Sequence, residues 1–97
     1  MTIKPKSREN VVELELVRRV EALGGLAEKV TVLGARGFFD RVVILPGGRV
    51  IWVEVKRPRG GVISRHQIEW HKRMKALGAE CAIISTAADI EKLLGPA

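Results

Sequence analysis

The segment "RGFFDRVVILPGGRVIWVEVKRP" (residues 36–58) contains the pattern from which the fold of this chain can be predicted. It contains two apolar runs, 40–45 and 49–56, separated by the turn Pro46-Gly47-Gly48. Apolar runs of this length around a Pro/Gly turn predict two strands of a β-hairpin. The hairpin is therefore expected to form the centre of the fold.

Charged residues interrupt this otherwise apolar hairpin. The second run ends in Glu54 and Lys56, and Asp40 begins the first run. A charge on a buried strand costs several kcal/mol unless it is paired or bound to something. Side chains alternate across a strand, so Glu54 and Lys56 share a face, and the turn places residues 40 and 54 nearly opposite one another. Two carboxylates and one ammonium are thus predicted to converge.

The segments on either side of the hairpin predict a sheet covered by helices. Ser7 caps a first helix that ends near Leu23, residues 28–33 form a first strand, and Ser64 caps a second helix that ends near Leu77. A last strand covers 80–85, and a short helix runs from the Thr86 cap to Leu94. The predicted fold class is α/β, in the order α-β-β-β-α-β-α, with a mixed sheet flanked by helices.

The converging acids predict a metal site. Two neighbouring carboxylates repel, and Mg²⁺ or Mn²⁺, which prefers oxygen ligands, removes the conflict. Asp40 and Glu54 would be ligands, with the main-chain carbonyl of Val55 as a further one. Lys56 would orient or deprotonate an activated water, or neutralise charge on a phosphoryl oxygen. Those are the parts that metal-assisted phosphodiester hydrolysis needs.

Three further polar residues extend the predicted site. Glu13 lies on the core-facing stripe of the first helix (Val12, Leu16, Val17, Val20, Leu23), where it is either a metal ligand or a carboxylate paired with a cation. Glu9, one turn earlier, is the alternative ligand. Gln67 either completes the cap of Ser64 or makes a polar contact beside Lys56. The tryptophans 52 and 70 are expected in the core, and the histidines 66 and 71 at the surface.

Charge points to a polyanionic partner. Between Lys56 and Lys75 lie seven basic residues and one acid, a balance equal to the net charge of +6 for the whole chain. Such a concentration is typical of nucleic-acid-binding surfaces, although a solvated helix face has the same composition. The residues that we expect to contact DNA are Arg57, Arg59, Arg65 and Lys72.

Length and composition limit the classes of protein to which the chain can belong. Ninety-seven residues with 46% hydrophobic content suffice for one small domain, so we treat 1–97 as a single unit. No apolar run has transmembrane length, and the first residues lack the apolar core of a signal peptide. The single cysteine, Cys81, forms no internal disulfide, and no Cys/His spacing suggests zinc. These features predict a cytoplasmic protein, from a bacterium or a phage, with no membrane partner.

The order of these motifs resembles the VRR-NUC (virus-type replication-repair nuclease) domain of the PD-(D/E)XK nuclease superfamily. That pattern has a glutamate helix, a GG pair, an RG-x-PD-R motif, a second GG pair, an E-x-K-x-P motif and a helix with Gln. Phe39 stands where the family usually has proline, which affects the loop before the aspartate more than the chemistry. The corresponding residues here are Glu9 or Glu13, Gly24-Gly25, 36–41, Gly47-Gly48, 54–58 and Gln67.

The resemblance implies a restriction-endonuclease-like core and Mg²⁺- or Mn²⁺-dependent DNA cleavage. Asp40 and Glu54 would be metal ligands, Lys56 the catalytic lysine, and Glu13 the preferred helix acid. Small members are similar to Holliday-junction resolvases, which act as dimers. A short chain with one site needs a two-fold partner to cut both strands symmetrically, which independently favours a homodimer. The alternatives are a flap or single-strand nuclease and a non-catalytic nucleic-acid-binding module.

Overall fold

A computed structural model of the protein describes residues 8–57 and 62–96, with side chains from Asn10 onward. The order of elements is the predicted one, and the α/β fold with its mixed sheet is confirmed. No helix in these ranges is both long and apolar enough to cross a membrane. The elements are α1 (Arg8–Ala22), β1 (Leu26–Lys29), β2 (Arg41–Ile44), β3 (Val50–Val55), α2 (Arg65–Ala76), β4 (Glu80–Ile84) and α3 (Ala87–Leu94).

The described strands form one sheet in the order β1-β2-β3-β4. β1, β2 and β3 are antiparallel neighbours, whereas β4 pairs in parallel with β3 after the α2 crossover. In the hairpin, Arg41 lies opposite Val53 and Ile44 opposite Val50. The same register continued by one residue places Asp40 opposite Glu54, as the length of the turn predicts.

One face of the sheet carries the main hydrophobic core. The odd-numbered residues of β3 (Ile51, Val53 and Val55) are fully buried against helices α1 and α3. This alternation explains why β3 can be almost entirely apolar and still present Glu54 on its other face. The buried partners from the helices and the other strands are Val12, Leu16, Val20, Ala27, Val43, Ile84 and Ile90.

The other face of the sheet carries an aromatic cluster beneath α2. Phe38 makes edge contacts with the rings of Phe39, Trp52 and Trp70, at centroid distances of 5.4, 5.5 and 5.0 Å. Such edge-to-face pairs stabilise beyond the area that they bury. Because the cluster includes both residues before Asp40, it anchors the chain where it enters the hairpin.

Both predicted helix caps that fall within the described residues are present. Ser64 and Gln67 form a reciprocal capping box at α2, and Thr86 and Asp89 form one at α3. The Asp89 carboxylate accepts backbone N–H groups of Ser85 and Thr86, which lowers its pKa. The predicted cap of α1, Ser7, lies outside the described residues.

The prediction for the first strand was wrong in its position. β1 covers Leu26–Lys29 rather than 28–33, because Gly24, with a φ of +86°, ends α1 and turns the chain directly into the sheet. A Cβ at Gly25 would lie 2.6 Å from the carbonyl oxygen of Ile44, so the chain can pass this close only without a side chain. Beyond Lys29 the neighbouring strand has ended, and Leu33 is 95% exposed.

Two side chains also differ from expectation. Leu23 is half-exposed because it lies beyond the last residue of α1. His71, expected at the surface, packs its ring 5.9 Å from Phe39, and burial lowers its pKa. Its buried Nδ1 has no hydrogen-bond partner within the described residues.

Candidate active site

Asp40 is held at the mouth of the hairpin by main-chain bonds on both sides. Its N–H donates to the carbonyl oxygen of Val53, and its own carbonyl accepts from the N–H of Val30, each at 3.0 Å. Its carboxylate oxygen Oδ2 accepts from the N–H of Val55 at 2.8 Å. The last contact aligns the carboxylate with the end of β3, where Glu54 lies.

Glu54 is the buried acid of the site. It is 4% exposed, because its side chain lies on the face of the sheet that α2 covers. Burial, the negative charge of Asp40 and a hydrogen bond with Asp40 together raise the pKa of Glu54 to about 8. The ammonium of Lys56, 3.4 Å from Oε1 of Glu54, opposes that rise without cancelling it. Asp40, Glu54 and Lys56 therefore converge.

Gln67 combines the two roles that its position suggested. Its Oε1 accepts the N–H of Ser64 at 2.9 Å, which completes the capping box of α2. Its Nε2 donates to Oε1 of Glu54 at 2.6 Å. A local capping motif thus fixes the amide that orients the buried carboxylate, and α2 is tied directly to the site.

The donor chemistry at this point suits a hard divalent cation. Two carboxylates in hydrogen-bond contact, one of them buried, must share a proton or a cation near neutral pH. Mg²⁺ and Mn²⁺ are bound by such oxygens. Asp40 and Glu54 could hold the ion, and the carbonyl of Val55, whose N–H already bonds Asp40, stays a predicted third ligand.

The acids of the first helix are arranged differently. The carboxylate of Glu13 accepts from Nε of Arg41 at 2.7 Å, and the same guanidinium donates to the carbonyl of Ala27. Across the described side chains, no three acids, histidines or cysteines lie close enough together to form a metal-binding group. Glu13 is therefore seen in its ion-paired alternative, and its role as a ligand stays a prediction. The side chain of Glu9 lies outside the described residues.

Arg41 is the site residue for which the sequence analysis assigned no role. It follows Asp40 directly, so on a strand its side chain points to the opposite face, toward α1. The alternation of side chains along β2, together with the inward-facing Glu13 of α1, could have predicted this ion pair from the sequence. Its pairing links α1, β1 and β2 next to the carboxylate pair.

The described residues that were predicted to contact DNA follow β3 or lie on α2. Arg57 follows β3 and is exposed, and Arg65 and Lys72 are exposed on α2, seven residues apart on one side of the helix. Arg59 lies outside the described residues. Their role in DNA binding stays a prediction.

The raised pKa of Glu54 predicts how stability depends on pH. The pKa is about 8 in the folded chain, against an ordinary value of 4.5. Between these values the folded chain binds more protons, so this stabilising contribution is complete below 4.5 and is lost as pH rises through about 8. Without divalent ions, the unfolding free energy of the wild type should fall by about 1–2 kcal/mol from pH 6.5 to pH 8.

The matched control is Glu54→Gln, which cannot ionise and should lack this fall. Denaturant unfolding of both proteins in EDTA, at pH 6.5, 7.25 and 8, measures the difference. The lowered pKa of His71 acts with the opposite sign at the acidic end of this interval, but it is common to both proteins and cancels in the comparison. Asp89 titrates below the interval. Parallel stability curves for the two proteins would contradict the assignment.

Comparisons with known proteins agree with the geometry. A solved structure described as "VRR_NUC domain" superposes with a TM-score of 0.85 and 34% sequence identity, covering 91% of this chain and 95% of that one. "Putative nuclease p44" of Acyrthosiphon pisum secondary endosymbiont phage 1 is 39% identical over 87 residues, 90% of this chain and 91% of that protein. No family model matches the chain. The shared fold, together with sequence identities of 34% and 39% over about nine-tenths of the chain, shows that the chain belongs to the VRR-NUC nuclease domain family.

Proposed function

We propose that residues 1–97 form one Mg²⁺- or Mn²⁺-dependent DNA endonuclease domain that cuts branched DNA as a homodimer, with the four-way Holliday junction as preferred substrate. The observation that carries the proposal is the buried Glu54 in contact with Asp40, Lys56 and Gln67. Membership of a nuclease family and a phage relative named as a nuclease support the enzymatic part.

The residues of the site divide the work of phosphodiester hydrolysis between them. Asp40 and Glu54 would hold the divalent ion, which supplies positive charge against the negative charge that develops on the phosphoryl oxygens. A water molecule loses a proton as its oxygen forms the new bond to phosphorus, one P–O ester bond breaks, and the leaving oxygen takes up a proton. Lys56 is near enough to Glu54 to orient that water or to stabilise the developing charge. Gln67 is a positioning residue, because it acts through Glu54.

Burial argues against the alternative of a non-catalytic module with structural acids. A pair of carboxylates that repel each other destabilises the fold unless something binds between them, and perturbed pKa values of this kind are typical of functional sites. Calorimetry with Mn²⁺ tests whether Asp40 and Glu54 bind a divalent ion. The absence of binding at millimolar ion, with DNA binding intact, would favour the non-catalytic module.

We infer the dimer from the one candidate site in this domain, and structure selectivity from the limited surface of the domain. The single site of one chain can cut one strand at a time, so symmetric cutting of a junction needs two chains around a two-fold axis. A small domain also has little surface for reading base sequence, so contacts to phosphates would dominate binding. Because the substrate is DNA, we place the protein in the cytoplasm of a bacterium or of a phage-infected bacterium.

A substrate panel tests the proposal directly. Purified protein is incubated with four-way junction, flap, duplex and single-stranded DNA, with Mg²⁺, with Mn²⁺ and with EDTA, and its mass is measured by sedimentation. We expect cutting only with divalent ion, fastest on the junction, by a dimer. Faster cutting of flaps or single strands would replace the junction assignment, and equal rates on all four substrates would defeat structure selectivity.

A further inference from the structure

A groove lies beside the carboxylate site, between the 34–36 loop and α2. It has a volume of about 270 Å³ and is lined on the helix side by His66, Glu69, Trp70 and Arg73, and on the loop side mainly by Arg36. We call it the Trp70 groove. Its helix residues are spaced by three or four positions, so they form one continuous stripe along α2. Arg65 and Lys72 lie on a different stripe of the same helix.

The charge of the Trp70 groove is positive. The two guanidinium groups of Arg36 and Arg73 oppose the single acid Glu69. In the part of the chain that the structure describes, neither guanidinium forms an ion pair with a carboxylate, whereas Arg18, Arg41 and Arg49 each do. Arginines without an acidic partner in a concave surface are suited to binding phosphate, which their donors contact in a bidentate manner.

The indole of Trp70 contacts both arginine residues of the Trp70 groove, through the guanidinium of Arg73 and the main chain of Arg36. The guanidinium of Arg73 lies 4.6 Å from the centre of the Trp70 ring, a cation–π arrangement. The Nε1–H of Trp70 donates to the carbonyl of Arg36 at 3.0 Å, which fixes the loop at the residue that carries the second guanidinium. The indole is itself packed on Phe38. This preorganisation lowers the entropy cost of binding an anion.

The Trp70 groove begins next to the active site. His66 directly precedes Gln67, whose amide bonds Glu54, and a Cβ at Gly37 would lie 2.6 Å from the Cβ of His66. From His66 to Arg73 is seven residues, or about 10 Å along the helix axis. At about 3.4 Å per nucleotide along a strand, that length corresponds to about three nucleotides.

We propose that the Trp70 groove binds the phosphates of about three consecutive nucleotides on one side of the scissile bond, with Arg36 and Arg73 as the phosphate contacts. The inference rests on the proposed nuclease function and adds a subsite for the cut strand. Trp70 is a positioning residue here, because it stacks against the guanidinium of Arg73 and holds the main chain of the loop at Arg36. The groove would set the direction in which the strand crosses the active site.

Binding measurements test the subsite independently of cleavage. Fluorescein-labelled junction and single-stranded DNA are titrated with the wild type and with Arg36→Ala/Arg73→Ala in EDTA, at several salt concentrations. The double variant should bind more weakly, and its slope of log K against log [salt] should be shallower by one to two. The control Arg18→Ala/Lys92→Ala removes two exposed cations from α1 and α3 and should leave the slope unchanged.

Cleavage of trimmed substrates locates the subsite. Wild-type kcat/KM should drop severalfold when the strand on one side of the cut is shortened to fewer than about three nucleotides, and the double variant should not show this step. Arg73→Lys, which keeps the charge, separates lost charge from lost packing and should bind better than Arg73→Ala. Circular dichroism melts confirm that each variant is folded.

The outcomes distinguish the two proposals. If the wild type cuts DNA but the salt slope of the double variant equals that of the control, the Trp70 groove is not a phosphate subsite and the nuclease proposal stands. If the double variant shows the predicted shallower slope but the wild type does not cut DNA with divalent ion, the nuclease proposal fails. If the wild type binds no DNA, both fail.

Discussion

Glu54→Gln is expected to lower kcat for divalent-ion-dependent DNA cleavage by at least about 10³-fold, since the loss of a charged ligand removes several kcal/mol of transition-state stabilisation. The substitution keeps the shape of a side chain that is 4% exposed. Its amide oxygen can still accept from Nε2 of Gln67, now 2.6 Å from the carboxylate. Only the negative charge is lost, so the effect reports on ion binding rather than on packing.

Two companion variants sharpen this prediction. Asp40→Asn keeps an oxygen for the N–H of Val55 and should be as inactive as Glu54→Gln. Gln67→Ala removes a contact of Glu54 but no charge, so we expect a loss of only about 10- to 100-fold. Single-turnover cleavage and Mn²⁺ calorimetry are measured for all three. Wild-type rates for Glu54→Gln, in protein shown to be folded, would remove the site from the mechanism.

The second large effect is expected for Lys56→Met. The ammonium of Lys56 lies 3.4 Å from Glu54 with its side chain 19% exposed, so it can reach a phosphate in the site. Loss of a group that transfers a proton or stabilises developing charge costs about 10²- to 10⁴-fold in kcat. Methionine retains most of the aliphatic stem, so packing against β3 should be preserved.

Comparing the effects of Lys56→Met on kcat and on Mn²⁺ affinity tests the catalytic role of Lys56. We expect kcat to fall while Mn²⁺ affinity stays within a few-fold of wild type, because the lysine is not a ligand. Lys56→Arg should recover only part of the rate, since a planar guanidinium differs in reach and geometry from an ammonium. Lys92→Met, on α3, is the matched control. Undiminished cutting by Lys56→Met would refute the catalytic assignment.

Local interactions explain why much of the fold could be predicted. The turn Pro46-Gly47-Gly48 sets the hairpin register, and Ser64 and Thr86 cap helices through residues three positions away. Each of these signals lies within a few residues of the structure that it specifies. The register then places Asp40 opposite Glu54, so the centre of the candidate site could also be predicted from the sequence.

The first strand and the burial of His71 were not predictable in the same way. β1 ends at Lys29 because its partner β2 begins only at Arg41, which is a property of another segment of the chain. His71 is half-buried because Phe39, more than thirty residues earlier, packs against it. Periodicity within one element carries no information about where a distant element stops or which ring it places nearby.

The order of elements, the hairpin register and the convergence of Asp40, Glu54 and Lys56 could be predicted from the sequence, because each depends on alternation or on contacts close in the chain. The remaining contacts of the site became visible in the three-dimensional structure. It showed that Gln67 reaches Glu54 while capping α2 and that Glu13 pairs with Arg41. It also showed that Trp70 contacts the guanidinium of Arg73 and the main chain of Arg36. These contacts join helices to strands and loops distant in sequence. The electrostatics of a buried carboxylate depends on all the groups that surround it in space.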